Sequence, residues 1–256
     1  MVQIIAITNQ KGGVGKTTTA INLTASLVNK QKRVLLIDAD PQANATTGSG
    51  VDKHGISLGL QDVLLEQCDI QNAILQTVHG YDLLPTNSDL TAAEVGLMQQ
   101  NQRSQVLKQA LAQIEKHYDF ILIDCPPALN TLTLNALVAA HGLFIPMQCE
   151  YFALEGLAAL IATMQQVQQH LNSRLKLLGI LRTMYDPRSR LCSEVSKQLL
   201  QHFGDKVFRV SIPKNVKLAE APSHGMPVNL YSRLSVGSKA YMVLAEEILA
   251  REEVRA

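Results

Sequence analysis

With 256 residues, the chain has room for one large α/β domain or two small ones, and nothing in its middle reads as a linker; a single domain over residues 1–256 is expected. Cys68, Cys125, Cys149 and Cys192 lie far apart and form no CxxC pair, so neither a zinc site nor a disulfide framework is indicated and reduced thiols are expected. The N-terminus enters an apolar run at once, leaving no room for a signal peptide, and the longest apolar stretch, near 154–164, is too short to span a bilayer, so the cytoplasm is the expected location. Formal net charge is only +1, but the halves differ: residues 1–128 hold 9 Lys/Arg and 12 Asp/Glu, and residues 129–256 hold 14 and 10.

Residues 2–7 form an Ile- and Val-rich run that reads as a buried strand, and 20–28 carry helical apolar spacing. Between them lies Lys11-Gly12-Gly13-Val14-Gly15-Lys16-Thr17-Thr18. Glycines let successive backbone N–H groups converge, and a helix start adds free donors and the positive end of its dipole, so the loop is an anion cradle. In this context Lys16 can reach the β- and γ-phosphates of a nucleotide and the Thr17 hydroxyl can ligate Mg²⁺. The pattern GxxxxGK[ST] is incomplete, because Gln10 stands at its first glycine and a second lysine, Lys11, follows. Two cations in one self-contained cradle would repel, so Lys11 either points elsewhere or is simply solvated.

A second strand is expected over 33–38, ending in Asp38 and Asp40 before Pro41; carboxylates at a strand's C-terminal end suit metal and water handling. Residues 43–50 are small and polar, as a switch loop should be. Residues 56–117 read as scaffold, with a brief strand near 81–84 and a helix over about 103–117. The apolar strand 119–124 delivers Asp124 in a Walker B arrangement, beside the Mg²⁺ expected at Thr17. Cys125, next to it, reads as a small buried hydrophobe. Strands at 143–147, 175–181 and 207–211 then alternate with helices at 153–171, 190–202 and 235–253. This alternation predicts an α/β three-layer sandwich with a mostly parallel twisted sheet and the nucleotide at the strands' C-terminal ends.

The KGGVGKT form resembles the deviant Walker A motif of the ParA/MinD ATPases. Three further stretches resemble the ParA/Soj partition ATPases among them: 35–46 (LLIDADPQANAT), 182–188 (RTMYDPR) and 212–225 (IPKNVKLAEAPSHG). The resemblance spans nearly the whole chain. It implies a P-loop NTPase that uses ATP and Mg²⁺, dimerises on binding ATP, binds double-stranded DNA non-specifically at the nucleoid and hydrolyses ATP under stimulation by a ParB-type partner. It places Lys11 in the partner's nucleotide site and Asp40 at the attacking water. Asp38 and Asp124 are assigned to Mg²⁺ and its waters, and Pro213 and Asn215 become candidate adenine contacts. Ala43 departs from the glycine usual there. The helix-turn-helix extension of larger relatives is not expected ahead of residue 1.

Between 174 and 239 lie twelve basic and four acidic residues, an electrostatic footprint for DNA phosphates or a set of scattered solvated charges. Arg188 is the first candidate contact by resemblance, followed by Lys214, Lys217 and Arg233. Two other readings compete. A MinD-like membrane-positioning ATPase needs a basic amphipathic C-terminus, whereas residues 245–256 hold four Glu and two Arg, so no membrane partner is expected. A nucleotide-gated DNA-binding module with negligible hydrolysis is the other. Cluster-carrying relatives need paired cysteines, which are missing.

Overall fold

Successive side chains of a strand point to opposite faces, so an uninterrupted apolar strand has to be covered on both sides. The computed structural model, which describes residues 2–99 and 103–253, meets that demand with one sheet and two helical layers. The strands are β1 (Gln3–Ile7), β2 (Val34–Asp38), β3 (Leu75–Gln76), β4 (Asp82–Leu84), β5 (Phe120–Asp124), β6 (Gly142–Gln148), β7 (Lys176–Tyr185) and β8 (Val207–Pro213). The helices are α1 (Lys16–Asn29), α2 (Asn44–Gly48), α3 (Leu60–Leu64), α4 (Ile70–Ala73), α5 (Leu90–Leu97), α6 (Val106–Ala112), α7 (Thr131–Ala139), α8 (Ala153–His170), α9 (Arg190–Phe203), α10 (Val216–Glu220), α11 (Val228–Tyr231) and α12 (Val236–Glu253).

The sheet runs β3-β4-β2-β5-β1-β6-β7-β8, parallel throughout except where β3 meets β4. Period-two alternation divides each central strand between two cores. Ile4, Ala6, Leu35, Ile37, Ile121 and Ile123 face the layer of α3 to α9. Ile5, Ile7, Val34, Leu36, Phe120 and Leu122 face α1 and α10 to α12.

Several segments differ from expectation, and four have a local reason. The helix expected over 103–117 shortens to α6, followed by a 3-10 turn at Glu115–His117. Helix α7 was not legible in the pattern; its start is fixed by the Asn130 side chain, which accepts from the Thr133 N–H at 3.1 Å. The segment 43–50 winds into α2 instead of an open loop. Strand β7 continues beyond 181 to Tyr185 because it pairs with both β6 and β8 along its length. Of the acidic C-terminal stretch, Val254, Arg255 and Ala256 lie outside the described residues.

A nucleotide site at the strand ends

Parallel register assembles the site. Asp124, the last residue of β5, pairs with Ile7 of β1 on one side and with Asp38 of β2 on the other. The glycine-rich loop begins at Lys11, four residues beyond Ile7, so cradle and carboxylates share one end of the sheet. Gly13 and Gly15 adopt φ of 73° and 85°, values open to glycine at little cost, and Gly15 caps α1 without a side-chain acceptor. The first N–H groups of α1 are therefore free for an anion. Three ties hold the loop: Asn9 donates to the Pro146 carbonyl at 2.8 Å and accepts from the Lys11 N–H at 3.0 Å, and the Thr183 hydroxyl donates to the Val14 carbonyl at 2.7 Å.

The two lysines behave differently. Lys16 is buried, and its ammonium donates to the Lys11 carbonyl at 3.2 Å, across the loop. Burial lowers its pKa, opposed by Asp124 and Asp40. Lys11 is exposed and turns out of its own cradle to form an ion pair with Glu150, just beyond β6. Its carbonyl serves the loop while its charge lies outside.

Asp38, Asp40 and Asp124 are all buried. Neither carboxylate oxygen of Asp124 has a hydrogen-bond partner; the Thr17 hydroxyl lies near enough to lower its pKa without completing a hydrogen bond. Burial dominates, and with Asp38 and Asp40 nearby it raises the Asp124 pKa well above the carboxylate range. Asp38 is pushed up to about 6 by burial, against the Thr46 bonds that favour its charged form. Its Oδ2 accepts from the Thr46 N–H at 2.7 Å and hydroxyl at 2.8 Å, and its Oδ1 from the Asp40 N–H at 3.2 Å. Asp40 accepts from the Gln42 N–H at 3.0 Å.

An orphaned, buried carboxylate beside a threonine of the first helical turn is the environment that a hard cation completes. The residues therefore fit Mg²⁺, with Thr17 and Asp124 able to hold it and Asp38 reaching it only through water, since its oxygens are already engaged. Among the described residues no group of three or more His, Cys, Asp or Glu could hold a metal without the nucleotide's own oxygens. Cys125 is buried and its thiol is pushed far up by burial, so it is inert beside the site.

The remaining candidates are distributed. Pro213 ends β8, paired with Tyr185, and Asn215 precedes α10 with its Oδ1 buried and unpartnered. That oxygen is available to an N–H donor. Arg188 is exposed and bidentate to Asp186, at 3.0 Å for both bonds, and Asp186 also feels Lys214. Lys217 is paired with Glu220, whereas Arg233 lies apart, beside Leu234 and Lys239 in a groove between α1 and α12. Arg182 leaves the basic set altogether: it is buried, bonded to the Ser196 hydroxyl and the Phe208 and Arg209 carbonyls.

Cradle, buried lysine and convergent carboxylates on a parallel sheet define a P-loop ATPase. A family model described as an AAA domain matches residues 2–177. The chain is 48% identical over 257 residues to the chromosome partitioning protein ParA of Caulobacter vibrioides, covering 99% of this chain and 96% of that one. It is also 48% identical to the sporulation initiation inhibitor protein Soj of Bacillus subtilis, covering 98% and 99%. Among solved structures, cobyrinic acid a,c-diamide synthase of Mycobacterium smegmatis with a bound ATP analogue and magnesium superposes with a TM-score of 0.88 at 36% identity, covering 100% and 98%. The chain belongs to the AAA-domain ATPases and, within them, to the ParA/Soj partitioning ATPases, hydrolysing ATP with Mg²⁺. Among the described residues no helix is long and apolar enough to cross a membrane.

Sequence reasoning missed Glu150, Thr183 and Thr46. Glu150 and Thr183 act through partners 139 and 169 residues away, and Thr46 ties nearby Asp38 to Thr86, 40 residues on, so no local spacing marks them.

Proposed function

We propose that the chain, a single domain, works as an ATP-driven dimer in the cytoplasm, where the dimer binds nucleoid DNA without reading sequence and a ParB-type partner stimulates hydrolysis to move DNA cargo. The observation that carries this reading is the outward turn of Lys11, since a P-loop that uses both lysines on its own nucleotide would aim both inward. A cation held outside its own cradle is placed to meet a second subunit's phosphates.

Within each site, Lys16 and the loop N–H groups hold the phosphates. Mg²⁺, when bound, neutralises phosphate charge; Thr17 and Asp124 hold it and Asp38 holds its waters. Asp40 orients the attacking water, and phosphoryl transfer depends chiefly on such positioning. Pro213 and the unpartnered Asn215 Oδ1 meet the adenine. Arg188 and Lys214 around Asp186 form the first part of the DNA surface, with Lys217 and Arg233 at its margin.

Sedimentation with Mg²⁺-ATP tests the assignment. Lys11→Ala should bind ATP and stay monomeric, while Asp40→Ala should accumulate as an ATP-bound dimer. A Lys11→Ala protein that dimerises like the wild type would overturn the reading.

A further inference from the structure

The strand-end carboxylates are connected to the neighbouring strand by a buried relay. Ala43 precedes α2 at φ 56° and has no side chain to cap it. The cap comes from Asp38 instead, five residues upstream, whose Oδ2 takes both the N–H and the hydroxyl of Thr46 at 2.7 and 2.8 Å. The same Thr46 hydroxyl accepts from the Thr86 N–H, just beyond β4, at 3.1 Å. The Thr86 hydroxyl in turn donates to the Gln61 side chain of α3 at 3.2 Å. Asp38, Thr46 and Thr86 are wholly buried, so each bond lacks competition from water.

Two bonds from one residue onto Oδ2 fix the plane of the Asp38 carboxylate. Its Oδ1 is then aimed at the Asp40 N–H, which it receives at 3.2 Å. We infer that Thr46 is a positioning residue for hydrolysis: its hydroxyl, anchored by the Thr86 backbone, orients Asp38, and Asp38 sets the backbone from which Asp40 reaches the attacking water. Thr46 itself is wholly enclosed, its hydroxyl engaged by Asp38 and the Thr86 N–H. This rests on the assignment of Asp40 made above.

Thr46→Val keeps the shape, the branched Cβ and the N–H bond to Asp38, but removes the hydroxyl and leaves the Thr86 N–H without an acceptor. Thr46→Ser restores the hydroxyl and removes only a methyl. Displacement of a positioning group by about 1 Å can cost on the order of a hundredfold in rate. Phosphate release at saturating Mg²⁺-ATP should therefore fall about ten- to a hundredfold in Thr46→Val, with KM for ATP changed by less than about threefold because the cradle is untouched. Thr46→Ser should recover to within about threefold of the wild type.

A purely structural role would lower the melting temperature of Thr46→Val and leave kcat of the folded protein unchanged. That result, or a serine variant no better than the valine one, would overturn the inference. Asp40→Ala in the same assay separates it from its premise. Wild-type turnover there removes the Asp40 assignment and this inference with it, whereas an inactive Asp40→Ala beside a fully active Thr46→Val removes only this inference.

Discussion

In Mg²⁺-free, nucleotide-free buffer, Asp38 should contribute stability that grows as the pH falls from 7 to 5, and Asp38→Asn should lose that contribution. Asp38 is enclosed, and burial holds its pKa up at about 6 against an ordinary 3.8. The folded state therefore binds the proton more tightly than the unfolded chain. Such a group stabilises the fold below pH 3.8 and progressively loses that contribution as pH rises through 6. At about 1.36 kcal/mol per unit, the two-unit displacement amounts to about 3 kcal/mol over the full range. The portion falling between pH 7 and 5 is roughly 1.3 kcal/mol. Asp124 is displaced in the same sense and the half-buried His141 in the opposite one, so the difference between wild type and Asp38→Asn isolates the Asp38 share. Its amide still offers an oxygen to Thr46 while opposing the Asp40 N–H, which lowers absolute stability without adding a titration. Urea unfolding at half-unit pH intervals measures the slope for both proteins. Parallel wild-type and Asp38→Asn profiles between pH 7 and 5 would refute the claim that Asp38 is ionised there at a cost. Saturating Mg²⁺-ATP should flatten the wild-type profile, because a cation beside the carboxylates favours their charged forms.

Lys16→Ala should weaken ATP binding about a hundredfold in calorimetry, since a buried, charge-assisted contact with the phosphates is lost; unchanged affinity would remove the cradle assignment. Glu150→Gln should release Lys11 and lower the protein concentration needed for ATP-dependent dimers by no more than about fivefold, the range set by a half-exposed ion pair, as read by analytical ultracentrifugation. Arg188→Glu should reduce affinity for every duplex sequence and flatten the log–log salt dependence by about one per lost phosphate contact, with ATP-dependent dimerisation intact. Loss for one sequence alone would argue for base readout instead.

The central strands and the phosphate loop were legible because their information is local. An apolar run before KGGVGKT needs no partner to be recognised, and β1 ends with that run at Ile7 while β2 and β5 end on their Ile-Asp steps. Short elements held by tertiary contacts were not legible: β3 exists through two residues paired with β4, and α2 through a cap supplied by Asp38. The same distinction separates the parts of the site. Lys16, Thr17 and Asp124 lie inside motifs, but Glu150, Thr183 and Thr86 reach Lys11, Val14 and Thr46 across 139, 169 and 40 residues. Motifs mark the groups proposed to contact a nucleotide, whereas the bonds that orient them come from residues distant in sequence. Charge shows the consequence most clearly. In sequence, residues 174–239 are a basic surplus; folded, Arg182 is a buried tie, while Arg188, Arg190, Lys206 and Lys217 are each paired with an acid. An exposed pair contributes little to stability, so it opens at little cost when a phosphate offers a stronger acceptor. On the proposed reading, such pairs would open onto DNA phosphates, and duplicating them in a dimer would raise avidity without any new contact.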